Sequence, residues 1–285
     1  MRWLAALESL RDRGEPGVLV TVTEVRGHAP RDAGAKMVVS ASGEWDTIGG
    51  GALEASAIER ARALLARGAR APESFTSALN EHVVSGHGVQ CCGGEVTVLL
   101  EPLAVVPSVV IFGMGHVGHE LARILARHDL DLHLVDTRPD RLAPGRLDAL
   151  ADADARIHLH AVPVLPEQVL VTLPVGSHVL VMTHDHAEDA AIVDAALRTP
   201  GLATVGLIGS RAKWARLRRH LLGNGLSESD FAKVVTPIGV PGLAGKDPAV
   251  IAVSVAADLV QRIRAVGTPP RGRTATTVES PRGRP

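Results

Sequence analysis

Three glycines and an aspartate form the most informative chemical pattern in this chain. Gly113, Gly115 and Gly118 have the G-x-G-x-x-G spacing, and Asp136 follows 18 positions after the last of them. Such glycines allow a sharp turn after a strand, close approach of a phosphate to bare backbone, and tight packing of the next helix. An acid at this distance is typical of hydrogen bonding to a ribose hydroxyl. The pattern predicts a nucleotide-binding half-domain, although such folds also persist without their ligand.

The only two cysteines are adjacent and lie in a glycine-rich segment. Cys91 and Cys92 are followed by Gly93 and Gly94, which leave a neighbouring sulfur accessible to a large ligand. One adjacent pair without further Cys or suitably spaced His does not make a zinc site. We therefore expect redox, persulfide or soft-metal chemistry here, with an inert loop as the alternative.

Two further segments combine residue types that bind anions. A loop that contains proline and glycine carries Arg31, whose guanidinium can form paired hydrogen bonds to an anion. Gly49, Gly50 and Gly51 directly precede a helix-forming run, which exposes backbone N–H groups at a helix N-terminus. A solvated loop and a plain flexible turn are the respective alternatives.

A second polar site is predicted in the C-terminal half. His184, Asp185 and His186 directly follow a predicted strand, and ligands of open α/β sheets collect at the carboxyl ends of strands. These residues are candidates for proton transfer, and a metal is the less favoured reading. The alternative is that Asp185 caps the following helix while the His side chains lie in solvent.

The next predicted strand is also followed by polar residues. Ser210 is a candidate N-cap of the helix that begins there. Arg211, together with Lys213, either binds a phosphate at this helix end or lies on a solvated helix face.

Apolar periodicity indicates which elements position these residues. Strand and helix patterns alternate after residue 108, which is typical of a parallel sheet with helices on both faces. We predict an α/β protein with an N-terminal α/β domain over 1–102, a linker over 103–108, a Rossmann-like doubly wound parallel-sheet domain over 109–266 and a disordered tail over 267–285. His158 and His160 alternate along one strand and are expected on a solvated face.

The composition argues against several classes of protein. A formal net charge of −1 and only three Trp and three Phe give neither a basic field nor a stacking surface for nucleic acid. No apolar stretch is long enough for a bilayer, and charges interrupt the first helical pattern, so we expect neither a membrane span nor a secretory signal. Two adjacent free thiols suit a reducing cytoplasm. We therefore expect a cytoplasmic protein without a nucleic-acid or membrane partner.

Taken in order, six motifs resemble the signature of the XdhC/CoxI family and are most similar to its xanthine dehydrogenase accessory members. The motifs span 29–37, 47–54, 90–94, 183–186, 208–213 and 237–239. Their combination is more specific than any one of them. The resemblance implies an N-terminal domain of the XdhC/CoxI type followed by a Rossmann-like domain.

The resemblance also implies a chaperone for the molybdopterin-type molybdenum cofactor, without turnover of its own. Such proteins shield the cofactor from oxidation, let a cysteine desulfurase install its sulfido ligand, and deliver it to the molybdenum-binding subunit of xanthine dehydrogenase. By position, the family's thiol is Cys92, with Cys91 as a neighbour found in part of the family. Gly93, Gly94 and the anion-binding segments would complete the site, and we expect a homodimer. Ala52 departs from the larger polar residue expected after the three glycines, which argues against a side-chain contact there.

Two alternatives from other classes stay open. The complete glycine fingerprint is consistent with an NAD(P)-dependent oxidoreductase in which His184 and Asp185 act as acid and base. A scaffold that joins a desulfurase to its client would need no cofactor site, and its partner binding would be indifferent to Cys92.

Overall fold

The computed structural model describes residues 2–79, 94–243 and 245–265, so Cys91, Cys92, Gly93 and the predicted tail lie outside the described residues. The strands are β1 (Gly17–Arg26), β2 (Lys36–Ser40), β3 (Glu44–Asp46), β4 (Glu73–Ala78), β5 (Glu95–Leu103), β6 (Ser108–Phe112), β7 (Asp131–Asp136), β8 (Arg156–Ala161), β9 (His178–Val181), β10 (Thr204–Leu207) and β11 (Val234–Val235). The α-helices are α1 (Trp3–Arg13), α2 (Gly51–Ala66), α3 (His116–Leu125), α4 (Pro144–Leu147), α5 (His186–Arg198), α6 (Arg211–Gly223) and α7 (Pro248–Ala265). Short 3₁₀ turns cover Pro139–Leu142, Asp148–Leu150, Pro166–Thr172 and Glu228–Lys233.

The N-terminal half is an antiparallel sheet with a helix on each face. Its strand order is β3-β2-β1-β5-β4. Alternate residues of the strands, including Val18 and Val39, pack against the apolar side of α2. Val38 has the opposite orientation and packs against Ala6 and Leu10 of α1. The period-two pattern of apolar residues thus gives this sheet two buried faces.

The C-terminal half is a doubly wound parallel sheet. Its order is β11-β10-β9-β6-β7-β8, with every neighbouring pair parallel, an arrangement typical of dinucleotide-binding folds. Helices α3 and α7 cover one face and α5 and α6 the other, which explains why every residue of β6 is buried. The predicted fold class is therefore confirmed. None of the helices in the described part of the chain has the length and apolar character needed to cross a bilayer.

Residues 104–107 connect the two sheets, so Leu103 and Ser108 are strand ends and do not belong to the predicted linker. Ion pairs from α1 provide a second connection between the halves. Arg11 lies 3.3 Å from Asp129, and the side chains of Asp12 and Arg156 also pair. None of the four apolar clusters formed by the described residues contains side chains from both halves.

Three imidazoles stack across β7 and β8, which differs from the solvated face expected for His158 and His160. The ring of His133, only 7% exposed, stacks on that of His158 at a centroid distance of 4.4 Å. His133 Nδ1 also lies 3.1 Å from His160 Nε2. Periodicity correctly placed both residues on one face, but it could not show that the neighbouring strand supplies a third ring.

These contacts predict that the folded protein is less stable at acid pH. Burial, together with His158 and His160, lowers the pKa of His133 to about 3, so only the unfolded chain binds this proton below about pH 6.5. Stability is then fully present above about pH 6.5 and falls with decreasing pH, by up to about 1.4 kcal/mol per pH unit for one group. Urea unfolding of the wild type and of His133→Gln between pH 7.5 and 5 would measure this slope.

The substitution His133→Gln should reduce the slope of the unfolding free energy against pH by the contribution of about one bound proton. Replacement of the exposed His220 by Gln is the matched control and should leave the slope unchanged. Equal slopes for the wild type and His133→Gln would contradict the assignment.

Candidate functional site

Segments that the sequence analysis considered separately meet at one end of the first sheet. A Cβ atom added at Gly49 would lie 2.7 Å from Pro30 Cγ and 3.4 Å from Arg31 Cγ. A Cβ atom at Gly94 would lie 2.3 Å from the carbonyl oxygen of His28. The loop that carries Arg31 is therefore packed against both the three-glycine turn and the residue that ends the cysteine segment.

The backbone of the three-glycine turn requires glycine. Gly49, Gly50 and Gly51 have φ angles of 128°, 74° and 65°, which residues with a Cβ atom rarely adopt. The backbone conformation thus requires glycine at these three positions whether or not a ligand binds.

A carboxylate of the chain itself occupies the anion-binding position predicted at these glycines. The N–H groups of Ile48 and Gly50 each donate to Glu54 Oε2 at 3.0 Å, and the hydroxyl of Thr47 donates to the same oxygen. The N–H of Gly50 is therefore bound within the chain, which differs from the ligand-binding role predicted for it. Glu54 is not among the site residues predicted from the sequence, although an acid in the first turn of a helix is the expected partner of such N–H groups.

The motifs of the second half lie together at the carboxyl edge of the parallel sheet. The glycine fingerprint follows β6, Asp136 ends β7, the polar segment 183–189 follows β9, and Ser210 follows β10. Parallel strands all end at this edge, so the topology brings these segments to one side of the domain.

Close backbone packing accounts for two glycines of the fingerprint, while the third is open. A Cβ atom at Gly113 would lie 2.5 Å from the carbonyl oxygen of Met182, and one at Gly118 would lie 2.1 Å from that of Gly113. A Cβ atom at Gly115 would meet nothing within 4 Å. The backbone at Gly115 is therefore the part of the loop that a phosphate could approach.

Asp136 is fully engaged within the protein. Its carboxylate accepts hydrogen bonds from the N–H of Met114 at 2.7 Å and from three N–H groups of Arg138 at 2.9 to 3.0 Å. Burial raises the pKa of Asp136, but these bonds outweigh it and hold the pKa below its usual value. Four bonds match the lone-pair sites of a carboxylate, and the residue is 2% exposed. Asp136 thus fixes the glycine loop and offers no open acceptor to a ribose.

Asp185 is the N-cap of α5. Its carboxylate accepts hydrogen bonds from the N–H groups of Ala187 at 2.6 Å and Glu188 at 3.2 Å. Both bonds lower the pKa of Asp185, so it stays ionised at neutral pH. His184 and His186 are exposed, which agrees with the capping alternative for this segment.

Ser210 caps α6, as the sequence predicts. Its side-chain oxygen accepts the N–H of Lys213 at 3.2 Å. Arg211 is exposed, and its side chain has no hydrogen bond or ion pair within the described part of the chain.

A buried ion pair joins the segments after β9 and β10. Asp189 is 0% exposed and accepts hydrogen bonds from the Thr183 hydroxyl at 2.8 Å and from the Thr183 N–H at 3.1 Å. The ammonium of Lys213 pairs with its other oxygen and also donates to the carbonyl of Ile208 at 2.9 Å. Lys213 therefore lies neither on a solvated helix face nor free for a phosphate, because it holds two strand-end segments together.

Across residues 2–79, 94–243 and 245–265, no group of three His, Cys, Asp or Glu side chains is arranged to hold a metal ion. The predicted thiols, Cys91 and Cys92, lie outside this set together with Gly93.

Comparisons with known proteins match both halves. A family model described as the XdhC Rossmann domain matches residues 109–259, and one described as the XdhC and CoxI family matches residues 10–76. The uncharacterized protein YqeB of Escherichia coli (strain K12) is 27% identical over 253 residues, which cover 88% of this chain and 44% of that protein. The chain thus spans less than half the length of this relative. A Bacillus halodurans crystal structure, described as a xanthine dehydrogenase, has 20% identity and a TM-score of 0.45, covering 97% of this chain and 98% of that one.

The pair formed by Asp189 and Lys213 should contribute strongly to stability. Replacement of either partner alone, in Asp189→Leu or Lys213→Met, leaves a buried charge without its counterion and should cost about 3–5 kcal/mol. The double variant removes both charges, so its loss of unfolding free energy should be clearly smaller than the sum of the losses of the two single variants. Urea unfolding of the four proteins gives the coupling energy.

The exposed i, i+4 pair of Asp194 and Arg198 provides the control for this experiment. Asp194→Asn should cost less than about 1 kcal/mol. Strictly additive effects of Asp189→Leu and Lys213→Met would rule out the coupling.

Proposed function

Because this chain belongs to the XdhC and CoxI family, we propose that it is a chaperone that binds the molybdenum cofactor, supports its sulfuration and delivers it to xanthine dehydrogenase. Family membership itself suggests a role in xanthine dehydrogenase maturation. Cofactor binding, a cysteine desulfurase partner, action as a homodimer and a cytoplasmic location are parts of the proposal. The protein acts by binding and transfer, without turnover of its own.

The observation that carries this proposal is the convergence of three loop segments at one end of the first sheet. Gly94, the first described residue after Cys92, packs against the loop that carries Arg31. Arg31 is exposed and has no ion pair or hydrogen bond within the described residues. A guanidinium without a partner suits an anion, and a thiol suits a soft metal, so Arg31 and Cys92 together have the chemistry for a ligand that carries both.

The residues around these loops fit the cofactor in part. When bound, the cofactor supplies a molybdenum centre with a dithiolene and a phosphate. Arg31 can hold the phosphate, and we assign the molybdenum end to Cys92. The three glycines do not fit an anion, because Glu54 would place a carboxylate beside it. We therefore leave Gly49, Gly50 and Gly51 out of the proposed contact set and keep them as the backbone support of the loop.

Two contacts disfavour the NAD(P)-dependent oxidoreductase alternative. Asp136 has no acceptor site left for a ribose hydroxyl. Asp185 is tied to backbone N–H groups, and its lowered pKa makes it a poor acid or base at neutral pH. Of the three fingerprint glycines, Gly115 has backbone that a phosphate could approach.

The role of Cys92 can be tested by cofactor retention. Because a ligand to the metal end would be lost, Cys92→Ala should reduce the molybdenum and pterin retained after anaerobic purification. We expect at least about a tenfold loss of affinity, the lower end of what even outer partners of metal ligands contribute. The readouts are molybdenum by elemental analysis, pterin by fluorescence after oxidation, and activation of xanthine dehydrogenase.

Cys91→Ala is the matched control, since it removes the neighbouring thiol and leaves Cys92. It should retain the cofactor more strongly than Cys92→Ala. If Cys92→Ala activates xanthine dehydrogenase as well as the wild type does, the assignment of the thiol is wrong. Unchanged capture of the desulfurase and the client in that case would favour the scaffold alternative.

A further inference from the structure

A cavity of about 720 Å³ lies beside the Arg31 loop and is dominated by positive charge. Arg2, Arg31 and Lys36 line it, together with Trp3 and a single carboxylate, that of Asp46. The start of α1, the Arg31 loop and the start of β2 bring these side chains together. The sequence analysis considered only Arg31 of this group.

The positive charges of the cavity are not neutralised by the described chain. The side chains of Arg2 and Arg31 have no ion pair or hydrogen bond within the described residues. Lys36 donates to the hydroxyl of Thr21 at 3.0 Å, and its ammonium lies 5.9 Å from the centroid of the Trp3 ring. Neither neighbour carries a negative charge. Three cations therefore face one carboxylate.

That carboxylate is already bound to backbone N–H groups. Asp46 accepts the N–H of Thr47 at 3.2 Å and that of Trp3 at 3.4 Å. Four other exposed arginines of the same half have acidic partners: Arg13 with Glu15, Arg26 with Glu24, Arg62 with Glu44 and Arg67 with Glu73. The surplus of charge in the cavity is thus a local feature.

We propose that this cavity binds the phosphate of the cofactor through Arg2, Arg31 and Lys36. Guanidinium groups match the geometry of phosphate oxygens, and an ammonium adds a compact charge. The identity of the ligand rests on the proposed function, whereas the anion site itself does not. The Arg31 loop packs against Gly94, which follows Cys92 by two positions in the sequence.

The three-glycine turn is the other candidate anion site in this half. Glu54 argues against the turn and in favour of the cavity. Its carboxylate holds the N–H groups of Ile48 and Gly50 and would repel a phosphate there. The cavity, by contrast, offers guanidinium donors that no acid occupies.

Inorganic pyrophosphate is a stable probe of the cavity. Calorimetric titration of the full chain should show binding that weakens as salt is added. Arg31→Gln should weaken it by about tenfold to a hundredfold, as expected for loss of a charged hydrogen-bonding partner, and Lys36→Gln should weaken it as well. Arg216→Gln is the matched control, because Arg216 is exposed and unpaired in the described chain but lies on α6; it should bind like the wild type. Circular dichroism establishes that each variant is folded.

Pterin retention after anaerobic purification separates this inference from the chaperone proposal. Pyrophosphate binding that depends on Arg31, without any retained pterin in the wild type, supports the anion site and contradicts the chaperone. Equal retention of pterin by the wild type and Arg31→Gln supports the chaperone and overturns the phosphate assignment. Equal pyrophosphate affinity for the wild type and both Arg31→Gln and Lys36→Gln overturns the anion site itself.

Discussion

Backbone N–H groups that glycine turns expose must find an acceptor, and in both halves of this protein a carboxylate of the chain supplies it. Glu54 binds the N–H groups of the three-glycine turn, and Asp136 binds the N–H of Met114 in the Rossmann loop. An uncompensated N–H at such a turn is costly once it is withdrawn from water. The shapes of both loops therefore depend on these two acids.

This arrangement changes what the glycine motifs mean. Glycine runs at strand-to-helix turns are usually interpreted as binding sites for a ligand anion. In this turn, the carboxylate of Glu54 accepts the N–H groups instead. The anion site that we propose lies instead beside the turn, where Arg31 lines a cavity with a single carboxylate, that of Asp46. The structural role of the glycines and the proposed role in ligand binding are thus assigned to neighbouring segments of the first half.

Much of the fold follows from the sequence, because periodicity and turn chemistry are local. The alternation of buried strands and helices after residue 108 predicts the parallel sheet, and Asp185 and Ser210 have the residue types of helix caps. The pairings that make up the site depend on tertiary neighbours instead. Lys213 looks like one of several cations on a basic helix, and only the folded chain brings it to the buried Asp189.

The lack of information on tertiary neighbours also explains why the sequence did not predict the stacked histidines. His158 and His160 alternate as a strand predicts, but the third ring comes from a strand more than twenty positions earlier. The sequence does not show the role of Glu54, because its three donors come together only in the folded turn. The function of Cys92 stays a prediction, since that residue lies outside the described part of the chain.

The junction between the halves has its own physical character. It includes residues 104–107, the close approach of Gly14 to Pro174, and ion pairs from α1, among them the exposed pair of Arg11 with Asp129. Exposed pairs of this kind are weak and screened by ions, and no apolar cluster of the described residues spans the boundary. Added salt should therefore weaken the exposed ion pairs of this junction while the two apolar cores stay intact.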